Sequence, residues 1–238
     1  MVKILNGKKV EEKQEYGLID LLEEIQKIEE IERIRLGSLE PTLITEEFVT
    51  RLSKLSKICD HFHLSLQSGC NETLKRMNRK YTIEIFEKGV QLLRNAYPNV
   101  HLTTDIIVGF PGETEEEFQT TYEFLKKIKF YKMHVFKYSP RKGTVAAKMP
   151  NQIDGNKKEK RSNLLIELSN KNELAYNQAY LGKTVVVLLE DREKEYIKGH
   201  TTNYMVVKVK TEKELENTIQ NVKIIKLDDM ELIGEITS

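Results

Sequence analysis

The chain has 238 residues, 39% of them hydrophobic and 32% charged, with a net charge of +1; this suffices for one large domain or two smaller ones and excludes collagen and intrinsic disorder. No uninterrupted apolar run approaches the roughly 20 residues of a membrane helix, and the start Met1-Val2-Lys3-Ile4-Leu5-Asn6-Gly7 lacks the features of a signal peptide, so the expectation is a cytoplasmic protein with no membrane partner. The two cysteines, Cys59 and Cys70, are too few for a disulfide framework and match no common zinc or redox spacing.

From residue 18 to about 140, short β-branched runs alternate with helical-period segments, the pattern of strand–helix units around a parallel sheet. Leu18, Leu21, Leu22, Ile25 and Ile28 predict one face of a helix, and Ile34-Arg35-Leu36 a strand ending at Gly37-Ser38-Leu39-Glu40-Pro41. Thr45 is placed to cap a helix with Phe48, Val49, Leu52, Leu55 and Ile58 inward. His61 to Leu66 predicts a second strand, followed by a helix with Leu74 and Met77 and another with Ile83, Phe86, Val90 and Leu93. Leu102 to Val108 is the third strand, with the turn Gly109-Phe110-Pro111-Gly112 and a helix capped by Thr114, where Glu117 closes a capping box. Met133 to Tyr138 makes the fourth strand. Four such units are half of a closed eight-stranded barrel, so either the sheet is open or strands are missing.

The composition changes near residue 151, where a polar, basic stretch precedes a helix predicted from about Leu164 to Tyr180. Beyond Gly182 only short strands follow: 184–189, 196–198, 204–209, 222–225 and 231–236. Five short strands in under 60 residues predict a small antiparallel barrel of the kind used by nucleic-acid-binding modules. The expected domains are residues 1–170 and 171–238. Residues 126–161 hold twelve Lys or Arg against Asp154 and Glu159, a local positive field suited to a phosphate backbone or to plain solvation. From Lys171 onward ten basic residues face twelve acidic ones, which weakens a purely phosphate-binding reading of the last strands.

Ligands of parallel strand–helix folds bind at the carboxyl ends of the strands. Glu40, Gln67, Ser68, Asp105 and Ser139 stand there, and the turn Gly109–Glu113 offers backbone N–H groups to a carboxylate or phosphate. Asp105 as a structural hydrogen-bonder and Glu40 as the end of a turn stay open beside this. His61 and His63 share a strand face and suggest metal ligation only if a third ligand is supplied, while His101, His134 and His200 are scattered. Gly182-Lys183-Thr184 lacks the upstream glycine of a phosphate-binding loop.

The stretches His63-Leu64-Ser65-Leu66-Gln67-Ser68-Gly69-Cys70-Asn71, Leu74-Lys75-Arg76-Met77-Asn78-Arg79-Lys80-Tyr81-Thr82 and Thr104-Asp105-Ile106-Ile107-Val108-Gly109-Phe110-Pro111-Gly112-Glu113-Thr114 resemble the radical-SAM tRNA methylthiotransferases. Ile34 to Pro41, and Ile197-Lys198-Gly199-His200-Thr201-Thr202-Asn203-Tyr204, resemble the branch acting on N6-threonylcarbamoyladenosine. The resemblance implies an α/β fold, a partial parallel (β/α) barrel followed by a TRAM β-barrel that binds RNA. It implies 2-methylthio addition to the adenosine beside the anticodon, with S-adenosylmethionine and two [4Fe-4S] clusters as cofactors and the tRNA anticodon stem-loop as partner; no sulfur donor is identified. By position it implies that Glu40, Gln67, Arg79 and Asp105 hold S-adenosylmethionine, with Ser38, Ser65, Ser68 and Gly109 as neighbours. Lys157, Lys158, Lys160, His200, Asn203 and Tyr204 are the RNA-binding candidates, with the basic segment expected to face tRNA beside the TRAM barrel. The family's cluster cysteines have no counterparts here, so the expectation is a C-terminal part beginning after strand two of the barrel, inactive alone and holding no metal. The alternatives are a non-catalytic RNA-binding protein, or a methylthiotransferase of isopentenyladenosine tRNA or a ribosomal protein.

Overall fold

A computed structural model describes residues 2–5, 8–11 and 17–237. Strands β1 (Val2–Leu5) and β2 (Lys8–Glu11) pair as an antiparallel hairpin. Helix α1 (Leu18–Ile25) buries Ile19 and Leu22, one turn apart on one stripe, whereas Leu21 and Ile28 are exposed, contrary to expectation. The helix stops at Ile25, so Ile28 lies beyond it, and Leu21 falls off the narrow buried stripe of Ile19 and Leu22.

Four strands then follow with their helices. They are β3 (Ile34–Leu39), α2 (Glu46–Leu52), β4 (Ile58–Gln67), α3 (Asn71–Arg76), α4 (Ile83–Ala96), β5 (His101–Val108), α5 (Glu115–Ile128) and β6 (Lys132–Lys137). The sheet order is β3-β4-β5-β6, every pair parallel. Thr45, Thr82 and Thr114 each accept a backbone N–H as N-caps, and Glu117 completes the capping box at Thr114. One sheet face packs Phe62, Leu64, Leu102 and Ile106 into a core with Phe86, Phe118 and Leu125 from the helices. The period-2 alternation sends His61, His63, Thr103, Asp105 and His134 to the other face.

Helix α6 (Gly155–Gln178) starts nine residues before the apolar pattern does. Its true start is marked by Asp154, whose carboxylate accepts from the N–H groups of Asn156 and Lys157; its first turns carry no apolar stripe because they lie on polar groups of the 109–115 turn. The helix crosses position 170 without a break and runs antiparallel to β6. Ser169 Oγ accepts from Met133 N at 2.9 Å and Asn172 donates to Phe130 O at 3.1 Å, so α6 satisfies backbone groups along the sheet edge.

The remaining strands, β7 (Thr184–Glu193), β8 (Tyr196–Thr201), β9 (Val206–Lys210), β10 (Thr218–Asp228) and β11 (Glu231–Ile236), close into a barrel ordered β10-β11-β9-β8-β7. Its β11–β9 pair is parallel, where an all-antiparallel barrel was expected. Val187, Leu189, Ile197, Val207, Val222 and Leu232 fill it. Gly199 is required by close approach: a Cβ there would stand 2.0 Å from Leu188 O. The barrel docks on the amino ends of the sheet strands. Arg33 donates to His200 O and Val186 O, Asn203 donates to Asn99 O and Tyr180 Oη, and Asn177 joins Tyr131 Oη to Met230 O.

Candidate functional site

The concave, helix-free face of the sheet holds a trough whose upper part, about 590 Å³, is lined by Gln67, Asp105, Ile107, Phe136, Tyr138 and Arg141. A β-bulge aims Gln67 into it. The β4–β5 register shifts between Leu64 and Gln67, and Thr104 Oγ1 fills the gap, donating to Leu64 O at 2.6 Å and accepting from Leu66 N at 3.2 Å. Gln67 itself adopts φ +68°, a left-handed conformation uncommon for a residue with a side chain. Tyr81, not singled out in the sequence, donates its hydroxyl to Ser65 O at 2.6 Å and ties the loop carrying Arg79 to this strand end. Glu40 and Arg79 meet at 3.9 Å, a loose pair, and Arg79 Nε is buried with no hydrogen-bond partner. The structure thus joins Gln67 to Asp105 in one trough and Glu40 to Arg79 in a pair outside that lining.

Other candidates have different neighbours. Ser68 is buried with its hydroxyl against Thr121 Oγ1 at 3.2 Å and the Cys70 N–H at 3.3 Å, so it faces α5 rather than the trough. Ser38 lines the lower trough, and Ser139 the upper one. The Gly109–Glu113 turn is filled by the protein itself. Gly109 N donates to Glu113 Oε2 at 2.7 Å, and Glu113 pairs at 2.6 Å with Arg161, both side chains buried. Gly109 has φ +71°, and a Cβ on it would strike Lys158 Cγ at 2.4 Å. The turn's N–H groups are therefore not offered to a ligand as the sequence suggested: the turn's own Glu113 carboxylate takes the Gly109 N–H, and the Gly112 and Glu113 N–H groups donate to Asn151 O and Phe110 O. His61 and His63 share Thr103 Oγ1, at 3.1 and 2.9 Å. Among the described residues no three His, Cys, Asp or Glu side chains stand together as metal ligands.

The basic segment is partly spent on internal pairs: Lys126 with Glu123, Lys127 with Glu87, Lys132 with Glu173, Lys137 with Glu159, and Arg161 with Glu113 and Glu115. Lys157 and Lys160 are exposed, while half-buried Lys158 donates to Tyr138 O at 3.0 Å. These lysines sit at the start of α6, beside the carboxyl ends of the strands. The barrel meets the other end of that 24-residue helix, roughly 30 Å from these lysines at 1.5 Å per residue. The expectation that they lie beside the barrel is therefore corrected. Asn203 is buried, its amide used on Asn99, Tyr180 and His101, so it joins the two units instead of facing RNA. His200 stacks on Tyr204 at 4.3 Å.

The radical SAM superfamily model matches residues 12–125, the segment that builds most of this sheet. The chain carries a radical SAM domain. It is 42% identical over 222 residues to the threonylcarbamoyladenosine tRNA methylthiotransferase MtaB of Bacillus subtilis, covering 91% of this chain and 49% of that protein. It is 41% identical to the tRNA-2-methylthio-N(6)-dimethylallyladenosine synthase of Alkaliphilus oremlandii, covering 91% of this chain and 47% of that protein. The chain thus spans about half the length of these relatives. In fold, coproporphyrinogen III oxidase (HemN) from Escherichia coli, a radical SAM enzyme, superposes with TM-score 0.51 at 12% identity over 71% of this chain and 46% of that one.

Radical SAM proteins use S-adenosylmethionine and a [4Fe-4S] cluster. The first is compatible with the trough, where Gln67 and Asp105 offer hydrogen-bonding groups beside the apolar walls Ile107, Phe136 and Tyr138, while Glu40 and Arg79 stand as a separate pair outside that lining. The cluster does not fit. Thiolates are its usual ligands, and the two cysteines are buried apart, Cys59 within β4 and Cys70 capping α3 with its thiol on Glu72.

Proposed function

We propose that the chain supplies the S-adenosylmethionine-binding and RNA-binding portion of a tRNA methylthiotransferase that acts on N6-threonylcarbamoyladenosine beside the anticodon. The observation that carries this reading is the joint presence of the Gln67–Asp105 trough and the docked five-stranded barrel in a chain 42% identical to the Bacillus subtilis enzyme of that name. In it, residues 1–170 form the barrel part and 171–238 a TRAM-type RNA-binding unit. S-adenosylmethionine, when bound, supplies the transferred methyl group. Arg79 receives its methionine carboxylate, Glu40 its amino group, and Asp105 and Gln67 its ribose hydroxyls, with Ser65, Ser38 and Gly109 nearby. Lys157, Lys160, His200 and Tyr204 contact the RNA, which must then span both ends of α6. The cluster ligands belong to sequence outside these residues, and no step is assigned to them.

A second reading, dimethylallyladenosine as substrate, draws on the nearly equal identity to the Alkaliphilus oremlandii synthase. One measurement separates them: mass spectrometry of tRNA nucleosides from cells lacking the complete gene, from the parent and from cells re-expressing it. Selective, restorable loss of 2-methylthio-N6-threonylcarbamoyladenosine is expected. Loss of the dimethylallyl counterpart selects the second reading, and no change in any methylthio nucleoside favours a non-catalytic RNA-binding protein.

A further inference from the structure

Below Asp105 the trough continues into a second cleft of about 500 Å³, between the concave sheet face and the β-barrel, lined among others by Arg35, Ser38, His63, His134 and Tyr204. Asp105 lines both parts, so the lower cleft adjoins the candidate S-adenosylmethionine site. Most of its charged groups have a partner within the cleft. Lys132 pairs with Glu173 at 3.0 Å, and Asp105 lies 3.4 Å from His63. Burial, aided by the nearby Arg35 charge, lowers His61 to about 3 and keeps its ring neutral.

Arg35 is the exception. Its neighbour Arg33 is used up on the barrel carbonyls of His200 and Val186. The Arg35 guanidinium instead lies 3.9 Å from the centre of the Tyr204 ring and, among the described residues, has neither a carboxylate partner nor a hydrogen bond. Ring contact fixes the plane of a guanidinium while leaving its N–H edge free for a planar two-oxygen acceptor. An unmatched cation at the wall of a cleft favours an anionic ligand group and disfavours a hydrocarbon one, which would desolvate it without return.

The two adenosine modifications named for the relatives differ in this respect. A threonylcarbamoyl arm ends in a carboxylate and a hydroxyl, whereas a dimethylallyl arm is hydrocarbon throughout. We propose that Arg35, held flat by Tyr204, binds the carboxylate of the threonylcarbamoyl arm in the lower cleft and so selects that adenosine over an alkylated one; this rests on the tRNA methylthiotransferase reading above. Arg35 is thereby a specificity-determining residue and Tyr204 a positioning residue.

The test titrates the 238-residue chain by calorimetry with three probes: N6-threonylcarbamoyladenosine, its methyl ester, and N6-dimethylallyladenosine. The acid should bind at least about tenfold tighter than the ester, as expected for a charge-assisted pair. In Arg35→Gln that ratio should fall to near one while ester binding is kept. Arg35→Lys should retain part of it, because the charge survives without the fork. Tyr204→Leu should lower the same ratio, a readout that mere loss of barrel stability would not move. An unchanged acid-to-ester ratio in Arg35→Gln overturns the proposal, as does failure of the native chain to prefer the acid. The tRNA nucleoside analysis decides the underlying reading independently: 2-methylthio-N6-threonylcarbamoyladenosine lost on deletion with an Arg35-independent ratio leaves the enzyme reading standing and removes only this residue's role.

Discussion

Arg161 shows how one side chain decides what a motif can do. It sits within a run of cations that reads as a solvated or RNA-facing surface, yet its side chain is 2% exposed. Its guanidinium donates to Glu113 Oε2, Glu113 O, Thr114 O and Glu115 Oε2, closing the turn after β5 against the start of α6. Removing one member of a buried pair strands the other charge in a low-dielectric site, which costs far more than the pair contributes net. Arg161→Ala should therefore destabilise the protein by about 3–5 kcal/mol, measured by urea unfolding. Adding Glu113→Gln should recover part of that loss, because the stranded charge is gone. The residue is invisible to charge counting because a sum over sequence does not distinguish a buried arginine from an exposed lysine.

At the scale of elements, the strand ends were legible and the bulge was not. The β-branched runs located β4 and β5 to within three residues at each end, and the threonine caps located the starts of α2 and α5, because both signals act between residues close in sequence. The Leu64–Gln67 register shift depends on a hydroxyl from the neighbouring strand, 38 and 40 residues away in the chain. Thr104→Val keeps the shape and removes that hydroxyl, leaving Leu66 N–H without its acceptor and Leu64 O without this donor. The expected loss is about 1–3 kcal/mol by chemical denaturation. If the bulge aims Gln67 as described, S-adenosylmethionine binding by dialysis should weaken as well. The early start of α6 is an intermediate case: Asp154 is a recognisable cap, but the missing apolar stripe hid it until the turn it covers was seen.

At the scale of the whole molecule, the sheet and the β-barrel meet around buried histidines. His101 stacks on Tyr131 at 4.3 Å, lies edge-on to Tyr176 and Tyr180, and contacts the Asn203 amide, while His61 lies 4.9 Å from Tyr204. Burial pushes His101 down to about 4 and, joined by the Arg35 charge, His61 to about 3, from an ordinary 6.5. Well above pH 6.5 both rings are neutral in the folded and unfolded chain alike and add no pH dependence. As pH falls below 6.5 the unfolded chain takes up protons that the folded chain refuses, so stability should decline toward pH 4. Melting temperatures followed across that window should show the decline, and His101→Gln should make it shallower; a flat profile would mean that these rings take up protons without disturbing the junction. The sequence by itself determined the α/β class, the order of strands and helices, the small barrel after residue 182 and the family resemblance, because periodicity, caps and motifs are local. Only the tertiary structure decided that Ser68, Asn203 and Arg161 face inward, that the lysines of α6 and the barrel lie at opposite ends of one helix, and that Arg35 lies on the Tyr204 ring in the lower cleft with no carboxylate partner among the described residues. Those outcomes depend on which distant groups meet, and burial and pairing are properties of the assembled neighbourhood rather than of any stretch of chain.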